Sequence, residues 1–344
     1  MGRITVLYPV STGGMGGGER YVLSILEKLD RTRFRPIVAA PYKTLFFRKA
    51  RKLCDEFYRI PFLDNADLFS FTRLFRIMYK ADIVHANLNR ACFFSSISGR
   101  IIGKPVISTM HGLDKSLYYR FSDRVVFLSE FQKQKYSYIP NSLHIPIGVS
   151  QDSFPQVFRQ QGKVFNIGVL ARLHHLKGHI TAVKTARIMK ERGFSVHFYF
   201  MGEGEYRPVI EKAVRDYEVE DMITFTGNLS DPAEFISRNI DLGMLASEKE
   251  NIPMSNLEYM AMRIPVVCSD VGAVKEQLDE ISIVREADNA LGFAEKISLI
   301  INDPEIKERM IRSNLRRVRA EFNSDIMVKR LEELYEERTD IYTQ

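Results

Sequence analysis

The chain is short of the features that mark several protein classes. Of its 344 residues only three are cysteine. Cys54, Cys92 and Cys268 lie far apart and match no metal-ligand spacing, so buried thiols in a reducing compartment are expected rather than a disulfide framework or a zinc site. No apolar run approaches the roughly 20 residues that a membrane-spanning helix needs. Strand-like Ile4 to Pro9 comes at once, so no signal peptide is expected. Met1-Gly2 is not a myristoylation signal, because Val6 stands where Ser or Thr is wanted. There is no repeat at solenoid periods. No Asp-x-Asp pair sits in a metal-ready setting, so neither metal nor cofactor is expected.

What is present is an ordinary globular composition, 45% hydrophobic and 27% charged, over a length natural for two domains. The net charge of +6 conceals an asymmetry. Residues 1–150 carry 23 Lys+Arg against 11 Asp+Glu, a net of +12; the remainder carries 26 against 32, a net of −6. A basic N-terminal half is expected to meet an anionic surface or substrate. Nucleic acid is not the expected partner, since no binding motif is recognised and the basic residues are not gathered on one recognition helix.

Short apolar runs alternate with amphipathic stretches. Ile4–Pro9, Pro36–Ala40, Ile83–Ala86, Val106–Met110 and Val125–Ser129 read as strands, with helices at Tyr21–Leu29, Ala91–Ile102 and Glu130–Tyr136. Residues 150–163 lose periodicity and read as a linker. A second series follows: strands Phe165–Ala171, Val196–Met201, Ile223–Thr226, Leu242–Ala246 and Val266–Cys268, with helices around His179–Arg192, Tyr206–Tyr217 and Pro232–Arg238. Asn289–Ile301, Pro304–Phe322 and Ser324–Thr339 read as helices. The order implies α/β architecture with two parallel, doubly wound sheets. Ligands of such sheets bind at the strand carboxyl ends.

The most informative stretch is 242–276. A buried strand leads through Ser247-Glu248-Lys249-Glu250 to a helix start marked by Pro253 and Ser255. Glu250 and Glu258 bracket the turn. The helix start offers free N–H groups and a positive dipole end suited to a phosphate, and a carboxylate can bond sugar hydroxyls beside it. An acidic loop before a helix is the plainer reading of the same residues. Glu-x7-Glu followed by Met-Ala, Pro-Val-Val, Ser-Asp-Val-Gly and Glu resembles the C-terminal signature of family-four retaining glycosyltransferases, which have the GT-B fold of two Rossmann-like domains facing a central cleft. By that resemblance Glu258 holds the ribose of a nucleotide sugar and Glu250 faces the donor sugar. Asn251, Met254, Tyr259 and Arg263-Ile264 depart from the family's usual Gly, Asn, Ala and Gly.

Other motifs agree with the resemblance. Gly168-x-Leu170-x-Arg172-Leu173…Lys177-Gly178 matches the family signature, and two cations five apart across a turn can grip a diphosphate from two directions. Gly16-Gly17-x-Glu19-Arg20 after the first strand is similar to the family's glycine turn. It is not a dinucleotide fingerprint, for Gly-x-Gly-x-x-Gly is not clean and no acidic residue follows the second strand. His111-Gly112-x-Asp114 resembles the motif whose His contacts the donor sugar. His174 and His175 lack a third metal ligand. Gly202-Glu203-Gly204-Glu205 reads mainly as a turn into a helix. The resemblance also places Gly227, Asn228 and the helix start Ser255, Asn256 and Leu257 among donor-binding groups. Ile147-Gly148-Val149-Ser150 replaces the family's Asn-Gly-Val-Asp.

The resemblance thus implies a metal-independent, retaining glycosyltransferase. Residues 1–149 would bind a glycan or lipid-linked acceptor and residues 164–323 the nucleotide sugar. The helix at 324–344 would cross back to the first domain, with Ile326, Val328, Leu331, Leu334 and Tyr335 as its apolar stripe. A cytoplasmic enzyme of cell-surface polysaccharide synthesis is expected. Two alternatives are a sugar-nucleotide epimerase and a non-catalytic carbohydrate- or partner-binding protein. Phe46, Phe47, Ala50, Leu53, Cys54 and Phe57 can share one helical face beside Lys49, Arg51 and Lys52, and Leu68, Phe69, Phe71, Leu74, Phe75 and Met78 alternate with Arg73, Arg76 and Lys80. These read either as packing helices or as a surface for the inner face of an anionic membrane.

Overall fold

The structure is a computed structural model that describes residues 2–113, 116–155 and 162–343. The chain divides into two compact units, residues 1–148 with 322–344 and residues 149–321. Residues 156–161 of the expected linker, like Asp114, lie outside the described residues.

In the first unit β1 (Ile4–Pro9), α1 (Gly17–Lys28), β2 (Phe34–Ala40), α2 (Leu45–Ala50), β3 (Glu56–Arg59), α3 (Leu68–Met78), β4 (Ile83–Asn87), α4 (Asn89–Ile102), β5 (Val106–Met110), β6 (Arg124–Phe127), α5 (Glu130–Lys135) and β7 (Ser142–His144) follow in turn. All strand pairs are parallel, in the order β3-β2-β1-β4-β5-β6-β7. Helices cover both faces, so the central strands β1, β4 and β5 are buried almost along their whole length. Leu7, Ile37 and Val84 pack against Phe62, Leu74 and Phe94.

The second unit runs β8 (Phe165–Leu170), α6 (His179–Glu191), β9 (Val196–Met201), α7 (Arg207–Asp216), β10 (Ile223–Gly227), α8 (Pro232–Asn239), β11 (Leu242–Leu245), α9 (Met254–Ala261), β12 (Val266–Ser269), α10 (Val274–Gln277), β13 (Ile283–Val284), α11 (Ala290–Asn302) and α12 (Pro304–Ala320). Its parallel sheet is ordered β10-β9-β8-β11-β12-β13. The strand order reverses between β1 and β4 in one unit and between β8 and β11 in the other, which are the points where such sheets bind ligands.

The last helix, α13 (Ser324–Thr343), belongs to the first unit and packs on α1 and β4. Its buried face is Met327, Val328, Leu331, Leu334 and Tyr335, while Ile326, expected on that stripe, is 39% exposed. Positions 327, 328, 331, 334 and 335 follow the helical period, and 326 falls one residue off it. Ion pairs flank this face, Lys28 to Asp325 at 3.1 Å and Arg33 to Glu332 at 3.7 Å. A Cβ on Gly148 would meet the backbone of Asn323 and Ser324 at 2.5 Å, so the chain can run there only past a glycine.

Residues 42–59 are not one helix. The helix α2 ends at Ala50, and Phe57 lies in β3. Phe46 and Ala50 are core residues, and Phe47 meets Tyr42 at a tilt and Phe57 edge to face, at 4.5 and 4.9 Å between ring centres. Strands β3, β7 and β13 are edge strands with one neighbour each, too short or too polar to show as apolar runs. No helix among the described residues is long and apolar enough to cross a membrane.

Candidate active site

The Arg172–Lys177 loop leaves β8, and the Glu250 loop leaves β11 beside it. Two contacts join them. The Glu248 amide donates to the Leu176 carbonyl at 2.9 Å, and Gly178, at φ 68°, lets the backbone pass the Ala246 carbonyl, where a Cβ would stand 1.9 Å from its oxygen. The glycine that starts α6 is therefore required twice, for its conformation and for the close approach. As a result Lys177 Nζ bonds Glu250 Oε1, with the two side chains 29% and 14% exposed.

Arg172 is exposed and donates from Nη2 to Glu205 Oε2 at 2.8 Å. The segment 202–205 is more than a turn. Leu173 N donates to the Glu203 carbonyl at 3.0 Å, and Tyr206 N to the Leu173 carbonyl at 3.1 Å. Side chains on Gly202 or Gly204 would collide with the Ala171 and Leu173 carbonyl oxygens at 2.2 and 2.1 Å. The loop after β9 thus braces the Arg172 loop. His174 Nδ1 accepts the Leu176 amide at 3.2 Å, and its Nε2 lies 3.7 Å from Glu205 Oε1.

Pro253 precedes α9, whose first turn has no side-chain cap and so presents its amides. Ser255 is half-buried, and Asn256, Leu257 and Glu258 are buried. Asn256 Nδ2 donates to Gln277 Oε1 at 3.1 Å, and Gln277 Nε2 to the Pro253 carbonyl at 3.0 Å, fixing the helix start. Gly272, at φ 56°, backs onto the Glu250 and Asn251 carbonyls. Two departures from the family have structural consequences here. Tyr259 lies over Gly243 and Gly168, where an added Cβ would come within 2.5 and 2.9 Å of it. Arg263 sits at φ 62°, the left-handed conformation that glycine adopts without strain. Gly227, at φ 69°, closes β10, its carbonyl accepting the Gly202 amide at 3.0 Å, and Asn228 is exposed beyond it.

In the first unit Gly16 precedes α1 and Gly17 opens it. Glu19 folds back to bond Thr12. Gly18 faces Leu88 and His111, with its would-be Cβ 2.5 and 3.5 Å from their side chains. Leu88 holds φ 70°, an uncommon conformation for a branched residue. Asn87 Nδ2 donates to the His85 carbonyl at 3.0 Å, which turns Oδ1 toward His111 Nε2, also at 3.0 Å. His111 therefore carries its proton on Nε2, and burial pushes its pKa down to about 3, keeping the ring neutral. Behind it lies a polar chain that sequence reasoning missed. His85 bonds Thr109 through Nε2 and Tyr335 through Nδ1, both at 2.6 Å, and Tyr21 meets Thr109 at 3.3 Å. The available signal was a His and an Asn within the apolar strand β4.

Solved structures share this two-sheet architecture. HepE of Anabaena, in complex with UDP and glucose, aligns with TM-score 0.83 at 16% identity, over 97% of this chain and 100% of its own. The fold is GT-B. Residues 15–145 match the family Glycosyltransferase Family 4, and residues 150–317 match Glycosyl transferases group 1. The chain belongs to this family of GT-B glycosyltransferases. EpsF of Bacillus subtilis (strain 168), provisionally named a glycosyltransferase, is 21% identical over 332 residues, 86% of this chain and 83% of its own. The capsular polysaccharide biosynthesis glycosyltransferase CapM of Staphylococcus aureus is 25% identical over 174 residues, 50% of this chain and 46% of its own.

Proposed function

We propose that the protein transfers a sugar, with retention and without a metal, from a nucleotide-diphosphate sugar to a glycan or lipid-linked glycan in cell-surface polysaccharide synthesis. The observation that carries this reading is the meeting of Lys177 and Glu250 where the strand order reverses between β8 and β11. Arg172, Lys177 and the first-turn amides of α9, at Ser255 to Leu257, neutralise the departing diphosphate as the glycosidic bond breaks. Glu258 holds the ribose hydroxyls. Glu250, steadied by Lys177, bonds the donor sugar. Gly227 and Asn228 meet the base. Gly16, Gly17 and His111 contribute to donor turnover. The diphosphate oxygen takes the acceptor proton on the face it leaves, which gives retention. UDP and glucose on HepE and the capsular role in CapM's name support the donor class and the pathway class.

The test begins with thermal stabilisation by a panel of nucleotide sugars, since a ligand of the native state raises apparent stability. For the donor that stabilises, Arg172→Ala and Glu258→Ala should each lose about 1.5–3 kcal/mol of binding with the fold intact. Near-normal turnover in both would remove this site. A donor isomerised without acceptor would replace transfer with epimerisation.

A further inference from the structure

A cavity of about 390 Å³ opens in the first unit before the amino ends of β6 and β7, at the edge of the sheet opposite His111. Arg100, Arg120, Arg124 and Arg338 all line it. Among the described residues Arg100 and Arg120 have no carboxylate within ion-pair distance, and both are exposed. Arg124 and Arg338 share Glu337, the former at 3.6 Å. The other acid present, Asp123, already accepts the Val106 amide at 2.7 Å. Arg338 is only 8% exposed, and among the described residues its Nε has no hydrogen-bond partner. A buried guanidinium short of acceptors is costly. Four guanidinium groups around one space, against two carboxylates, leave a positive basin whose donors fit phosphate oxygens in pairs. Phe121 and Ile341, 46% and 54% exposed, add apolar surface to the same lining.

We propose that this cavity is a binding site for the phosphate or pyrophosphate group of a ligand with an apolar part, with Arg338 of α13 as its buried anchor. The site shares no residue with those assigned to the donor, and it does not rest on that assignment. A lipid phosphate and a water-soluble organic phosphate have this same chemistry.

Calorimetric titration of the full chain with inorganic pyrophosphate tests it, beside the variant Arg100→Gln/Arg120→Gln. Both side chains are exposed, so the fold should survive, which the unfolding midpoint checks. Cations of the second unit are unchanged in the variant, and any pyrophosphate they hold cancels in the comparison. Pyrophosphate binding should weaken about tenfold or more in the variant, since losing even one of its two guanidinium contacts costs about that much, and chloride at matched ionic strength should not reproduce the wild-type signal. Sedimentation with phosphatidylglycerol vesicles, absent with phosphatidylcholine, competed by pyrophosphate and lost in the variant, would assign the phosphate to a lipid. Vesicle binding that persists in the variant, or none at all, would assign a soluble phosphate, provided the pyrophosphate difference holds. Equal titrations in the two proteins, or a signal matched by chloride, would overturn the site.

Discussion

His179 follows Gly178 directly behind the Lys177–Glu250 pair. It is 1% exposed, neither ring nitrogen has a hydrogen-bond partner among the described residues, and it meets Phe200 edge to face at 5.3 Å. Burial, helped by the charge of Lys177, holds its pKa down to about 4. Burial holds His85, beside His111, down to about 3 as well. In the unfolded chain each imidazole titrates at about 6.5. As pH falls below that value the unfolded state takes up protons that the folded state refuses. Stability is therefore full above about 6.5 and is lost progressively as pH falls toward the folded-state values. The denaturant midpoint should drop between pH 7 and 5. His179→Phe, similar in shape and without a titrating group, should give a shallower slope. Identical slopes would mean that His179 contributes nothing to the acid sensitivity.

The helix α13 is held to the first unit by a continuous apolar face, by flanking ion pairs and by one buried hydroxyl. Tyr335 packs edge-on against Phe34 at 5.8 Å, while its OH meets His85 Nδ1 at 2.6 Å and Tyr8 OH at 3.3 Å. Removing the chain from Ser324 onward would uncover the surfaces of α1 and β4 that it covers, forfeiting roughly 1.5–3 kcal/mol for each large apolar side chain. The truncated protein should be insoluble or inactive; soluble material with full activity would show that the helix is dispensable. Tyr335→Phe is the milder probe. It keeps the ring packing and leaves a buried His85 nitrogen unpaired, so about 1–3 kcal/mol of stability should go, read from chemical denaturation.

The basic character of residues 1–150, a net of +12, bears on where the enzyme works. The two aromatic segments of this unit turn out to be divided in their allegiance. Phe46, Ala50, Leu74 and Met78 are in the core, whereas Leu45, Leu68 and Phe69 are 57%, 76% and 60% exposed. Arg73 lies 5.9 Å from the Phe69 ring centre, and Lys49, Arg51 and Lys52 are exposed near α2. Exposed apolar side chains among basic ones suit the headgroup layer of an anionic membrane, at about 1 kcal/mol for each basic residue. We therefore propose peripheral binding at the inner membrane face. Vesicle binding should require anionic lipid and weaken with salt. Replacing Lys49, Arg51 and Lys52 with Glu should abolish it and leave donor binding unchanged. Indifference to anionic vesicles at low salt would point instead to a soluble acceptor.

Much of this protein was legible before any coordinates. Ile4–Pro9, Val106–Met110 and Val196–Met201 can be read to the residue, because a central parallel strand is largely buried on both faces and so reads as a short run rich in apolar residues. The motif glycines were legible too, since a backbone that passes within contact of a carbonyl tolerates nothing larger, as at Gly178 and Gly202. Edge strands such as β3 escaped, having one neighbour and half a polar face. So did Met327, whose burial depends on which side of α13 meets α1. Above all, pairings between distant residues were beyond local pattern. Lys177 and Glu250 are 73 positions apart, and His85 and Tyr335 are 250 apart. Spacing along the chain names the residues of each loop, but neighbours across loops follow from strand order. That order places β8 beside β11 and α13 against β4, and packing of the whole sheet decides it.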